Sequence, residues 1–315
     1  MLPLVAYLRQ RGHVVSLANA GGALRERMQL LAAAMRHDLV LLQKKLFKRP
    51  FVTLLSKANS RIIFDLDDAV MFHELERGQP VDGKFFNRFA AIAGVASSVV
   101  AGNSYLADFA RATRSAPTCE VTVLPTPIDT ARLPAKTTYA DRSEFVVGWI
   151  GTKGNLQQLQ GLADPLREVQ ARIPDMCLRV VADAALELPG VRVEFKPWRA
   201  EDEVADLHGF DVGIMPLQDG LWNRGKGGYK LLQYMGAGLP AVASPVGINA
   251  EIIKHGDNGL LATSPSEWRD GLISMAGQAG LRQQLGSHAR ATVESTYSLD
   301  GYLHRYASLI EELLS

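Results

Sequence analysis

Between Phe145 and Lys254, short apolar runs alternate with segments of helical spacing, and this alternation limits the fold more than any other feature of the chain. Phe145–Ile150, Leu178–Ala182, Val191–Phe195, Val212–Met215 and Ala241–Ala243 read as strands. Leu156–Ile173, Ala200–Leu207, Tyr229–Met235 and Ala250–Lys254 read as helices. Strands separated by helices need crossover connections and so lie parallel. The runs show little polar alternation, which means that both faces of their sheet are covered. The pattern predicts a doubly wound, Rossmann-like domain.

The first half has the same grammar, less regularly. Leu4–Arg11 reads as a helix closed by Gly12, and His13–Leu17, Asp38–Leu42, Arg61–Asp65, Ser98–Ala101 and Val121–Leu124 read as strands. A doubly wound domain usually opens with a strand feeding its first helix. Here a helix follows Met1 at once, so either the N-terminal domain lacks its first strand or the sequence starts late. Pro125, Pro127, Pro134 and the polar run Lys136–Ser143 predict a linker. Leu299–Leu314 is an amphipathic helix, expected to pack back on the N-terminal domain. The predicted division is therefore 1–135, 136–296 and a final helix in 297–315.

The length of 315 residues suits two domains of roughly 150 each. With 47% hydrophobic and 21% charged residues, the chain is an ordinary globular protein rather than a disordered tail or a disulfide scaffold. The two cysteines, Cys119 and Cys177, are too few for a zinc cluster and fit a reducing compartment. Residues 1–140 hold 18 Lys+Arg against 11 Asp+Glu, while 141–315 hold 16 against 22. The halves thus carry about +7 and −6, and a basic half suits a membrane headgroup, a nucleic acid or a phosphorylated ligand. The longest uncharged run, Phe89–Ala107, contains Gly94, Ser97, Ser98, Gly102, Asn103 and Ser104, and so reads as a helix end and a buried strand, not a bilayer span.

Chemistry concentrates in 217–259. Gly225, Gly227 and Gly228, with Lys226, precede the helix that begins near Tyr229. A glycine-rich loop entering a helix exposes N–H groups at the positive dipole end, which suits a phosphate or pyrophosphate; the Gly-Lys-Ser/Thr spacing of a P-loop is missing. Gly148–Asn155, with Lys153, forms a second candidate phosphate loop at the end of a strand. Asp65-Leu66-Asp67-Asp68 has three readings: a metal-binding Asp-x-Asp, an aspartyl-nucleophile motif, or a cleft-facing strand end. Asn103 and Ser104 either cap the helix after them or serve an acceptor.

Gly225–Gly247, followed by Glu251-Ile-Ile-x-x-Gly256-x-x-Gly259, resembles the donor-binding half of retaining GT-B glycosyltransferases of the family 4 type. Gly148–Gly154, Asp211–Pro216, Phe64–Ala69, Ala101–Leu106 and Leu124–Asp129 extend the likeness over nearly the whole chain. The resemblance implies an α/β fold of two Rossmann-like doubly wound domains facing a cleft. It also implies transfer of a sugar, hexosyltransferase-like, from a nucleotide-diphosphate sugar to an unidentified acceptor with retention, and points to cell-envelope polysaccharide synthesis. No metal and no cofactor are expected, and no nucleic-acid partner.

The loop chemistry and the resemblance together make Gly151, Lys153, Arg224, Lys226, Lys230, Gln233, Gly247, Ile248 and Asn249 the donor-binding candidates, with the lysines assigned to phosphate by their charge, and Asp67, Asp68 and Glu251 the catalytic candidates. The Glu-x7-Glu signature of the family falls on Gly225 and Gln233. Gln233 retains hydrogen-bonding capacity for ribose hydroxyls, whereas Gly225 offers only backbone. Lys44, Lys45, Lys48 and Arg49, interleaved with Leu46 and Phe47, predict a patch for an anionic membrane and a cytoplasmic, peripheral location. Two alternatives are a degenerate sugar-nucleotide-binding protein and a nucleotide-sugar epimerase of the same architecture.

Overall fold

The computed structural model describes residues 1–20, 23–72, 83–113, 120–140 and 143–315. The chain forms two compact units, one of Met1–Thr126, Gly220–Gly227 and Asp300–Ser315, the other of Pro127–Asp219 and Gly228–Leu299.

The first unit opens with α1 (Leu2–Gln10) and α2 (Leu24–Ala34), followed by β1 (Val40–Gln43), α3 (Arg49–Ala58), β2 (Ile62–Leu66), α4 (Lys84–Val95), β3 (Ser98–Ala101), α5 (Ser104–Thr113) and β4 (Glu120–Val123). Its sheet is parallel, in the order β1-β2-β3-β4. Strands added in one direction by right-handed crossovers place their helices on one face. There Ile62, Phe64, Leu66, Val99 and Ala101 join residues of α3, α4 and α5 in a single core. The alternate residue Asp65 points away from that core, and its Oδ2 accepts a hydrogen bond of 2.7 Å from Tyr306 Oη.

His13–Leu17 is not a strand. Val14 and Leu17 are 86% and 64% exposed. Its apolar alternation finds no sheet edge to pair with, so it stays irregular.

The second unit contains β5 (Phe145–Ile150), α6 (Gln157–Gln160), α7 (Ala163–Arg172), β6 (Met176–Ala182), β7 (Val193–Pro197), α8 (Glu203–His208) and β8 (Val212–Met215). The next helix, α9 (Leu221–Arg224), lies in the segment assigned to the first unit. The second unit resumes with α10 (Tyr229–Gly236), β9 (Ala241–Ala243), α11 (Asn249–Ile252), β10 (Leu260–Leu261), α12 (Pro265–Ala276) and α13 (Ala279–Thr296). The last helix, α14 (Leu299–Leu314), lies from Asp300 onward in the first unit. The sheet order β10-β9-β8-β5-β6-β7 reverses between β5 and β8, as in a doubly wound fold. The central strands β5, β6, β8 and β9 are almost wholly buried, which is why they read as continuous apolar runs, whereas the edge strands β7 and β10 are partly exposed.

The segment expected to be one helix over Leu156–Ile173 breaks at Gly161 and Leu162 into α6 and α7. The Pro-rich stretch after Thr126 is no free linker, because Lys136 is buried and donates to the carbonyls of His208 and Phe210. Ile128 also bridges to Ser298. Asp141 and Arg142, within the expected linker, and Cys119 lie outside the described residues. Cys177 is buried. Among the described residues no helix is long and apolar enough to cross a membrane.

Candidate functional site

In the second unit, the carboxyl ends of β5, β8 and β9 flank the point where strand order reverses, the usual ligand position of a doubly wound sheet. After β5 the chain turns through Gly151 into a short 3-10 turn, Lys153–Asn155. The Lys153 N–H donates to Asp183 Oδ1 at 2.5 Å, and the Lys153 side chain is exposed. Lys230, in the first turn of α10, sets its Nζ 5.0 Å from the Trp149 ring centroid. A Cβ on Gly151 would lie 2.5 Å from Trp149 and 2.6 Å from the Lys230 side chain. Gly151 and Lys230, far apart in sequence, are therefore neighbours, and Trp149 holds the ammonium between them by cation–π attraction.

α10 starts at Gly228, whose φ of 66° lies in the left-handed region that favours glycine. The N–H groups of its first turn have no partners within the helix and carry the positive end of its dipole. Gln233 sits further along α10 and is buried. After β9, Gly247 has a φ of 55° and leads into α11. Ile248 and Asn249 are buried. Asn249 Nδ2 donates to the Ser244 carbonyl at 3.1 Å, and Ser244 Oγ accepts from the Leu217 N–H at 3.0 Å. These two side chains shape the loops after β8 and β9. Glu251, in the first turn of α11, is exposed.

In the first unit, the carboxyl ends of β1, β2 and β3 carry a second constellation. Lys44 Nζ lies 2.5 Å from Asp67 Oδ1 and 2.9 Å from Asp68 Oδ2. Lys44 is thus a partner of the acids. Phe47, the largest apolar member of the predicted membrane patch, is 3% exposed, so the predicted apolar face points inward. Asp65 is spent on Tyr306, which separates it from Asp67 and breaks up the Asp-x-Asp reading. Burial holds the Asp65 carboxyl above its ordinary value, opposed by the Tyr306 hydrogen bond and by the positive charges of the N-terminal amine and Lys44.

Asn103 does two jobs. Its Oδ1 accepts from the Leu106 N–H at 2.8 Å and caps α5. Its Nδ2 donates to the carbonyls of Arg224 and Lys226, at 3.1 Å each. The loop carrying Arg224 and Lys226 is thereby pinned to the first unit, and Trp222 packs against that unit's core. A Cβ on Gly225 would approach Ala69 to 3.0 Å at N and 3.1 Å at Cα, and closer still at Cβ. No side chain fits there without displacing Ala69.

Three roles were not legible in the sequence: Lys44 on the acids, Asn103 on the loop, and Trp149 under Lys230. Each joins residues far apart in the sequence, and the only local signal was the capping position of Asn103.

Residues 144–278 match the family model described as Glycosyl transferases group 1. Solved structures share the fold at low identity. HepE of Anabaena, in complex with UDP and glucose, has a TM-score of 0.72 at 18% identity, over 98% of this chain and 89% of that one. Sucrose-phosphate synthase from Thermosynechococcus elongatus has a TM-score of 0.67 at 14% identity, over 92% and 78%. The pneumococcal O-GlcNAc transferase GtfA, in complex with UDP and GlcNAc, has a TM-score of 0.62 at 12% identity, over 90% and 60%. No curated protein sequence matches the chain. The fold is GT-B, that of these glycosyltransferases. Within that class, the family match covers the stretch that holds β5 to α12, and it supports sugar transfer from a nucleotide sugar.

Proposed function

We propose that the chain moves a sugar from a nucleoside-diphosphate sugar to an acceptor hydroxyl, with retention of anomeric configuration. The observation that carries this reading is the grouping of Lys230, Gly151 and Trp149 beside the start of α10, at the order reversal of the second sheet. Lys153 and Lys230 meet the diphosphate, Gln233 meets the ribose, and the backbone of 247–249 with Glu251 meets the sugar. As the glycosidic bond breaks, negative charge grows on the departing diphosphate, and lysines and helix N–H groups already in place stabilise it. The leaving phosphate takes the acceptor proton. Asp67 and Asp68 accept hydrogen bonds from sugar hydroxyls, and Arg224 and Lys226 supply positive charge on the pinned loop. The acceptor is a glycan, a lipid-linked sugar or a small molecule.

The test is thermal-shift screening of nucleoside diphosphates and their sugars, followed by donor turnover. A cognate nucleotide sugar at about 100 times its Kd raises stability by about 2.7 kcal/mol. Lys230→Ala lowers that affinity by roughly 10-fold or more, since a charge-assisted bond to phosphate is worth about 1.5–3 kcal/mol. No shift with any nucleotide sugar overturns the reading. Gly225 against Ala69 favours a second reading, a binding protein without transfer, because the first acid of the signature has no room there. Binding without donor consumption across a broad acceptor panel would select it.

A further inference from the structure

Lys44 has a φ of 55°, and among the described residues it is the one non-glycine residue with positive φ. That conformation is costly for any residue with a Cβ, and glycine or asparagine occupies it more easily. Strained backbone persists where its surroundings over-determine it. Here the Lys44 N–H donates to the Asp65 carbonyl at 2.8 Å, which extends the β1–β2 ladder by one step. At that turn one ammonium reaches two consecutive carboxylates, at 2.5 and 2.9 Å. Gly102, at the end of β3, closes the other side: a Cβ there would lie 2.9 Å from Asp67 Cα. The backbone of Asp67 is thus held from β3 and its carboxylate from β1.

We propose that Lys44 is a positioning residue that orients Asp67 and Asp68 to accept sugar hydroxyls, and that its ammonium takes the place a divalent cation would otherwise occupy between them. The proposal rests on the reading of Asp67 and Asp68 as sugar-contacting groups. Two adjacent carboxylates without a counter-charge repel each other and present hard oxygen ligands that suit Mg²⁺ or Mn²⁺. With Lys44 they form a preset acceptor pair of net charge −1, needing no metal to stay in position. The turn alone would be met more cheaply by glycine, and what lysine adds there is the ammonium on Asp67 and Asp68.

The experiment uses the full chain with Lys44→Asn, Lys44→Gly, Lys44→Met and Lys44→Arg. Asparagine and glycine relieve the backbone, so their melting temperatures stay level or rise, while the ammonium is lost. Donor turnover falls in both, and in Lys44→Met, by roughly 10- to 100-fold in kcat, with a smaller change in donor KM. Lys44→Arg keeps most of the rate. Independently of turnover, water-proton relaxation with Mn²⁺ as probe shows no uptake by the wild-type chain and measurable uptake by Lys44→Asn, abolished by adding Asp67→Asn and Asp68→Asn. Wild-type turnover in Lys44→Asn, or Mn²⁺ uptake by the wild type that those two changes abolish, overturns the proposal. If the wild type consumes no nucleotide sugar, the broader functional reading fails instead, and Mn²⁺ uptake alone decides whether Lys44 holds the pair.

Discussion

At the scale of single residues, Gly225 is the position where packing and the family signature disagree. Its φ of −86° is ordinary, so the constraint is steric rather than conformational. Restoring the acid of the signature by Gly225→Glu drives a side chain into Ala69. Overpacking of this kind costs roughly 1–3 kcal/mol. The expected outcome is a lower melting temperature and no gain in donor turnover, measured by calorimetry and by nucleotide release. A gain in turnover at unchanged stability would mean that the loop moves aside and that the acid still has a place. Asn103, holding the same loop through Arg224 and Lys226, makes such a movement costly, because both of its donors lose their carbonyls together.

At the scale of elements, β2 and α14 are joined by the buried pair Asp65 and Tyr306. Burial raises the Asp65 carboxyl, and raises the Tyr306 phenol together with the nearby Asp65 charge. A carboxyl whose folded value is raised favours the folded state below its unfolded value of about 3.9, and that advantage is lost as pH climbs through the folded value. Asp65→Asn keeps an acceptor for the Tyr306 hydroxyl and carries no charge. The melting temperature of the variant relative to wild type should therefore rise as the pH climbs above about 4, as thermal unfolding at a series of pH values would show. A flat difference would mean that the carboxyl is not penalised by burial. Such a pair was invisible in the sequence, where Asp65 belonged with Asp67 and Asp68 as one acidic motif. The elements themselves were more legible. Buried parallel strands announce themselves as apolar runs, so β5, β8 and β9 coincide with the reading, while β10, only two residues long, carried too little pattern. His13–Leu17 has the composition of a strand, but strand formation needs a neighbour, which no local pattern supplies. Lys44 was misplaced for a related reason. Its partners depend on the register that pairs Gln43 with Asp65, a fact of sheet assembly rather than of the run Lys44–Arg49.

At the scale of the whole molecule, the two units are interleaved along the chain, which passes from one to the other after Thr126, Asp219, Gly227 and Leu299. The glycine-rich loop is divided by the third of these passages. Lys226 belongs to the first unit and Lys230 to the second. The final passage gives a direct test of independence. A chain ending at Leu299 loses the buried residues Leu303, Tyr306, Ala307, Leu309 and Ile310 from the first unit and leaves Asp65 without its partner. Burial of that many apolar side chains is worth on the order of 10 kcal/mol, comparable to the entire stability of a typical domain. The first unit should lose its protected amides in hydrogen exchange, with β2 and β3 exchanging as fast as surface loops. The second unit keeps its sheet and its own core of α10 and α13, so its strands should stay protected and should still gain protection from a nucleoside diphosphate. Loss of protection in β5 and β8 as well would show that the second unit does not fold without the first, and that nucleotide binding is a property of the whole chain.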